Sequence, residues 1–323
     1  MVNEPAPDNA AVKRPFWNRR AKKALLVSLV ALVLHLLVLL VPRNMPEQEL
    51  AIARAIAEPA RRVTLLKPLR ENPKATGANL REAAELLREG SPMDAYELTK
   101  ASERKEPGSV DTQLLLARIC HGQRMKRCEE ESFKKAEELA PEDPRAALLR
   151  ADFHERDGDV EGELAAVEQA YRKAPGREGV GVRYARLLSA TSRGEAALGV
   201  LEAQASLLGK ARMRVEQGLV RVAQGKLEEG RGLFTRAVEE DPKLAPAHYH
   251  LGLTAFQLGD VEAAEESLRE ADRLDMTSMK ALSALCAIQR KTGRMNDLMA
   301  TRMDLERRFP EKLGAVQSAC GTH

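Results

Sequence analysis

Cys120, His121 and Cys128 are the residues of this chain whose types come nearest to a reactive or metal-binding cluster. Thiolates flanking an imidazole could hold zinc, which takes four sulfur or nitrogen ligands in a tetrahedron. Their spacing fits no common zinc pattern, however, and no fourth ligand is evident. His248 and His250 are two apart, so a helix points them to different faces and they form no ligand pair. Gly176, Gly179 and Gly181 lack the spacing and the preceding strand of a nucleotide loop. No Walker loop, His-Glu-x-x-His or Gly-x-Ser-x-Gly occurs. The carboxylates fall on repeating solvent faces, the ordinary place for them. The sequence is therefore read as that of a non-enzyme, with no cofactor, no metal and no small-molecule substrate.

The elements that hold these residues read as helices. Charged residues make up 31% of the chain and aromatics 3%, so the core must rest on Ala, Leu and Val. Alternating β-branched runs are nearly absent, which argues against a sheet protein. The net charge of +3 is unevenly placed. Lys13, Arg14, Arg19, Arg20, Lys22 and Lys23 stand against Glu4 and Asp8, a balance of +4 that leaves −1 for the remainder. A nucleic-acid partner needs a basic surface that releases counterions, and the body has no such excess.

Ala24–Val41 is an apolar run whose only polar members are Ser28 and His35. At helical rise it spans about 27 Å, just enough for a thin hydrocarbon core. Phe16 and Trp17 precede it, and Pro42-Arg43 closes it. Basic residues crowd the N-terminal side, while Arg43, Arg54 and Arg61 follow more sparsely. The positive-inside rule then predicts a cytoplasmic tail over 1–23, a transmembrane signal-anchor over 24–41, and the rest of the chain outside. A cleaved signal peptide is the competing reading, but no small-x-small site or lipobox cysteine ends the run. The Ala- and Arg-rich composition points to a bacterial inner membrane with the body in the periplasm; a cytoplasmic body is the alternative. Ser28 and His35 share a helix face and are read as tolerated polar residues rather than as a contact stripe. Residues 42–75 read as a connector: Glu47 to Glu58 can form a short helix, after which Pro59, Pro68 and Pro73 interrupt.

Beyond the connector a glycine-led step recurs. Gly158, Gly225 and Gly259 are separated by 67 and 34 residues, a period near 34. That period means one helix pair per unit, stacked because no single pair buries its own apolar face. The unit from Ala245 carries Gly252, Gly259, Ala264, Leu268 and Ala271. The unit from Ala211 carries Gly218, Gly225, Gly230, Phe234, Ala237 and Pro242. The unit from Pro144 carries Ala151, Gly158, Val167, Ala170 and Pro175, with Glu163 where alanine belongs. This pattern resembles the tetratricopeptide repeat family, in a membrane-anchored bacterial form. Weaker units begin at Thr76, Val110, Glu178 and Met279, giving starts at 76, 110, 144, 178, 211, 245 and 279. The resemblance implies an all-α solenoid of about seven helix-turn-helix units over 76–312, behind the transmembrane helix, with a C-terminal tail at 313–323.

In that family the first helix of each unit lines a concave groove through its positions 2, 5, 9, 12 and 13. Carried over, these positions place Arg118, His121, Arg145, Asp152, Glu155, Arg156 and Arg186 in the N-terminal half. The C-terminal half receives Val215, Leu219, Val222, Tyr249, Leu253 and Phe256, then Lys280, Arg290 and Lys291. An apolar stretch rimmed by charge suits a peptide segment or helix with apolar anchors; packing of these residues against a neighbouring helix or the C-terminal tail is the alternative. Some members grip a C-terminal carboxylate with Lys and Asn at positions 5 and 9. Here Leu80 and Ala84, Leu114 and Arg118, and Leu148 and Asp152 stand there, so that clamp is absent. In the same register Cys120 and Cys128 fall on facing helices, and a disulfide is expected between them if the body is exported; a reduced, packed pair is the alternative. Cys286 is read as plain packing and Cys320 as a free thiol. The expected function is a membrane-anchored scaffold that docks a protein segment in its groove, for assembly of an envelope complex in secretion, pilus, motility or biogenesis. A chaperone-like holder of envelope clients, or a non-catalytic subunit or cofactor-handling factor of an enzyme complex, are the alternatives.

Overall fold

The computed structural model describes residues 45–177 and 179–321. The basic tail 1–23 and the expected membrane helix Ala24–Val41 lie outside the described residues. Among the described residues no helix is long and apolar enough to cross a membrane. No strand occurs among them either. The helices are α1 (Pro46–Ala55), α2 (Pro59–Leu66), α3 (Gly77–Leu87), α4 (Pro92–Lys105), α5 (Val110–Gly122) and α6 (Lys126–Leu139). There follow α7 (Arg145–Asp157), α8 (Val160–Lys173), α9 (Val180–Ala190), α10 (Gly194–Ala203) and α11 (Ala205–Leu208). The rest are α12 (Lys210–Ala223), α13 (Leu227–Glu240), α14 (Ala245–Gln257), α15 (Val261–Leu274), α16 (Lys280–Lys291), α17 (Met295–Arg308) and α18 (Leu313–Cys320). They form two compact units divided between Glu130 and Glu131, within α6.

In the first unit the segment expected as a connector is folded. Pro46 and Pro59 sit in the first turns of α1 and α2, and Pro68 in the first turn of the 3-10 helix Lys67–Glu71. There the missing N–H costs nothing and the fixed φ suits the turn, so these prolines open helices rather than break them. Leu50, Ala53, Leu66 and Leu69 are buried against Leu80, Ala83, Ala84, Leu87, Ala95 and Leu98. Fully burying one such leucine is worth about 1.5–3 kcal/mol. Thr76 caps α3 by accepting from the Asn79 N–H at 3.1 Å, and Asn79 Oδ1 accepts from the Thr76 N–H at 2.9 Å. The buried Ser102 hydroxyl donates to the Gly77 carbonyl at 3.0 Å. Cys120 and Cys128 are joined in a disulfide with their Cα atoms 5.8 Å apart.

The second unit is a stack of antiparallel helix pairs, α7–α8, α9–α10, α12–α13, α14–α15 and α16–α17. Gly259, in the turn of its pair, has φ +90°, a left-handed conformation that glycine adopts without steric cost. Ser192 (φ 60°) takes the corresponding place in α9–α10, as does Arg124 (φ 55°) between α5 and α6. Gly252 lets α14 and α15 touch: a Cβ there would lie 2.8 Å from Leu268 Cγ and 2.9 Å from the Ala264 carbonyl oxygen. Glu163, which stands where small residues face each other elsewhere, is buried yet matched. Its Oε1 accepts from Arg183 Nε at 2.9 Å and Nη2 at 2.7 Å, and Arg183 also donates to Asp152 at 2.6 Å. An arginine from the next pair thus neutralises the one carboxylate a small-residue seam would otherwise exclude.

The stack ends in α18, which packs on α16 and α17. Val316 and Cys320 are its buried residues, and they join a core containing Leu285, Leu298, Leu305 and Phe309. Cys320 is bonded to Cys286 across a sequence separation of 34 residues. This corrects two expectations: Cys320 is not a free thiol, and Cys286 packs in the core as half of a disulfide. Among the described residues no cysteine is free.

Candidate partner-binding groove

The first helices of successive pairs in the second unit, α9, α12, α14 and α16, touch one another in order. One continuous face therefore carries side chains from all four. Tyr249, Leu253 and Phe256 lie on α14 at spacings of four and three residues, one stripe of a helix, and each is half-buried. Tyr249 meets the His250 ring edge-on at 5.1 Å, and His250 stacks on Phe234 of the preceding pair at 5.6 Å. Lys291 Nζ stands 5.2 Å over the Phe256 ring, a cation–π contact.

Beside this stripe an open cleft of about 310 Å³ is lined by Ala245, Pro246, Tyr249, His250, Ala271, Asp275, Ser278, Lys280 and Ala281. A second cleft of about 210 Å³ lies toward α9, lined by Ala185, Arg186, Ser189, Ala190, Leu201, Glu216, Leu219, Val220 and Ala223. Arg186 bridges its rim: Nε donates to Glu216 Oε2 at 2.9 Å and Nη2 to Oε1 at 2.5 Å. The bidentate bond to Glu216 holds the Arg186 pKa above its ordinary value despite partial burial. His250 is pushed the other way. Burial lowers its pKa first; the positive charges of Arg186 and Lys280 add to that lowering, and Glu216 opposes it. The imidazole is therefore a neutral aromatic surface at neutral pH.

The structure sorts the residues expected in the groove. Leu219, Arg186, Tyr249 and Lys280 line the two clefts. Val215 is a correction: it is 4% exposed, packed with Phe234, Ala237 and Ala247, and offers no surface. Val222 is half-buried and turned toward α13, with its Cγ2 only 2.6 Å from where a Cβ on Gly230 would be. Arg290 is exposed, and its Nη1 donates to the Gly321 carbonyl at 3.0 Å, just past α18. Asp152 and Glu155 are engaged by Arg183, at 2.6 and 3.2 Å. Arg118 belongs to the first unit, where its guanidinium donates to Glu85 at 3.2 Å.

His250 and Glu216 were missed as groove residues. A stack between neighbouring pairs, such as that of His250 on Phe234, is invisible in the register of one unit. Among the described residues no cluster of three or more His, Cys, Asp or Glu side chains is arranged to hold a metal ion. Cys120 and Cys128 are spent in their disulfide, and His121 Nδ1 lies 3.3 Å from Glu129 Oε2.

The sequence matches the family model described as tetratricopeptide repeat over residues 130–178 and 215–278. Among solved structures, a tetratricopeptide repeat protein from Parabacteroides merdae is similar over 76% of this chain and 97% of its own, with 14% identity and a TM-score of 0.54. That likeness shows the fold. PilW, a type IV pilus biogenesis factor, is 17% identical over 64% of this chain and 97% of its own, with a TM-score of 0.47. YrrB, a TPR protein with an unusual peptide-binding site, is 21% identical over 58% and 98%, with a TM-score of 0.40. No curated protein matches the chain in sequence.

Proposed function

We propose, on the premise that this is a tetratricopeptide repeat protein, that it is an interaction scaffold that docks a segment of a partner protein along α12, α14 and α16. The observation that carries this reading is the row Tyr249, Leu253 and Phe256, half-buried on one helix face beside a cleft of about 310 Å³, with Tyr249 and Phe256 packed against the core that holds Leu285 and Leu298. Apolar side chains left open next to a concave site mark contact surfaces, and a cleft of this size takes an anchoring side chain of a bound segment.

In the fuller form of the proposal, Ala24–Val41 anchors the chain in a bacterial inner membrane, residues 1–23 face the cytoplasm, and the repeats work in the periplasm in assembly of an envelope complex. The charge asymmetry around the apolar run supports this orientation. So does the pairing of all four cysteines of the chain into disulfides, which persist in oxidising compartments. Confinement to the membrane surface raises the effective concentration of a membrane-bound partner, so modest groove affinity suffices.

Replacing Tyr249→Ala together with Phe256→Ala is expected to abolish partner capture by the full chain while the helical circular dichroism signal is retained. Undiminished capture with an intact fold removes the groove assignment. Alkaline phosphatase fused at the C-terminus is expected to be active; an inactive fusion places the repeats in the cytoplasm.

A further inference from the structure

We propose that the segment held in this groove is acidic, with an aromatic or leucine anchor in the Tyr249–His250 cleft and flanking carboxylates that meet Lys280 and Lys291. The proposal rests on the groove reading above and names the chemistry of the partner.

Charge along α16 is left unmatched within the fold. Elsewhere in the second unit many arginines are neutralised within the fold. Arg183 is held by Asp152 and Glu163, Arg221 by Glu195 and Glu229, and Arg308 by Asp272 and Asp304. Arg186 is bound to Glu216 on the groove itself. Along α16 the pattern stops. Lys291 rests on the Phe256 ring and Arg290 on a backbone carbonyl, neither of which cancels a charge. Lys280 is exposed at the mouth of the cleft.

The register positions 2, 5, 9, 12 and 13 of the last three helix pairs hold Arg212, Lys280, Arg290 and Lys291 and no Asp or Glu; Glu216, beside them in the groove, is taken up by Arg186. Asp275 also lines the cleft, its Oδ1 accepting from the Thr277 N–H at 3.2 Å and hydroxyl at 2.7 Å, and stands as one carboxylate against Lys280, Arg290 and Lys291 along α16. An apolar floor bordered by uncancelled ammonium groups attracts a segment that brings its own carboxylates and repels a basic one. The anchor supplies affinity; the charges supply selection and orientation.

The test is a selection of random dodecapeptides displayed on phage against the purified full chain, run in parallel on the K280E/K291E and Y249A/F256A variants. The expected result is enrichment of sequences that place Asp or Glu beside Phe, Tyr, Trp or Leu. Synthesised as fluorescent peptides, these are expected to lose at least tenfold in affinity for K280E/K291E, to be retained by K280R/K291R, and to weaken as salt rises. Enrichment of neutral or basic sequences, or acidic sequences indifferent to K280E/K291E, overturns the charge assignment. If such peptides still require Tyr249 and Phe256, the groove reading stands without it. If no sequence is enriched, or if binding ignores Y249A/F256A, both fail. Displacement of the acidic peptides by phosphatidylglycerol vesicles but not by phosphatidylcholine vesicles would assign the cations to a lipid surface and also overturn the proposal.

Discussion

His250 connects the packing of the second unit to its groove. One face stacks on Phe234, a fully buried side chain of the preceding pair, and the Tyr249 ring meets it edge-on. Burial and the nearby Arg186 and Lys280 lower its pKa below the ordinary value of 6.5. In the unfolded chain the imidazole takes up its proton as pH falls through that ordinary value, while the folded chain resists until its own lower pKa is reached. Between the two the unfolded state binds more protons, so stability falls as pH falls across that window. His250→Gln removes this contribution. Equilibrium urea unfolding from pH 7.5 to 5.5 is expected to show a steeper loss for the unchanged protein than for the variant; parallel curves would mean that folding leaves the His250 pKa where it is in the unfolded chain.

At the scale of elements, the sequence carried the helices well and their uses less well. Position-specific glycines such as Gly252 and Gly259 are legible because only a missing Cβ satisfies a 2.8 Å approach or a φ of +90°. Ser192 and Arg124 occupy the same left-handed turn with nothing in their type to announce it. Pro59 and Pro68 open helical turns, yet composition does not distinguish a breaker from a first-turn residue. Val215 shows the limit of a register carried over from a family: its position names a face, but packing against Phe234 buries it.

The pairing of Cys286 with Cys320 was unreadable because it depends on the tail folding back as α18. That helix has eight residues, far below the length at which a helix stands alone. Cys320→Ala is therefore expected to cost about 2–4 kcal/mol in unfolding free energy, a typical value for losing a disulfide that closes a loop of this order. Hydrogen exchange over residues 313–320 is expected to rise toward unprotected rates. Unchanged protection there would show that Val316 and its neighbours hold α18 without the bond.

For the whole molecule, the fold and the function were legible to different depths. A period near 34 residues identifies a repeat architecture because stacking is the only way each pair buries its apolar face. It says nothing of what a partner must look like, since that is set by the few side chains each repeat leaves uncovered. On α14 these include the half-buried Tyr249, Leu253 and Phe256, with Lys280 and Lys291 at their margin. Partner docking at this row is tested most directly by a photo-crosslinking amino acid placed in the full chain in its own cells, at Leu253 and, as a control, at the exposed Thr235 of α13. The expected result is one discrete adduct from Leu253, none from Thr235, and loss of the Leu253 adduct when Tyr249→Ala and Phe256→Ala are added. Equal labelling from both positions, or a Leu253 adduct that survives the double substitution, would contradict a docking groove on α14.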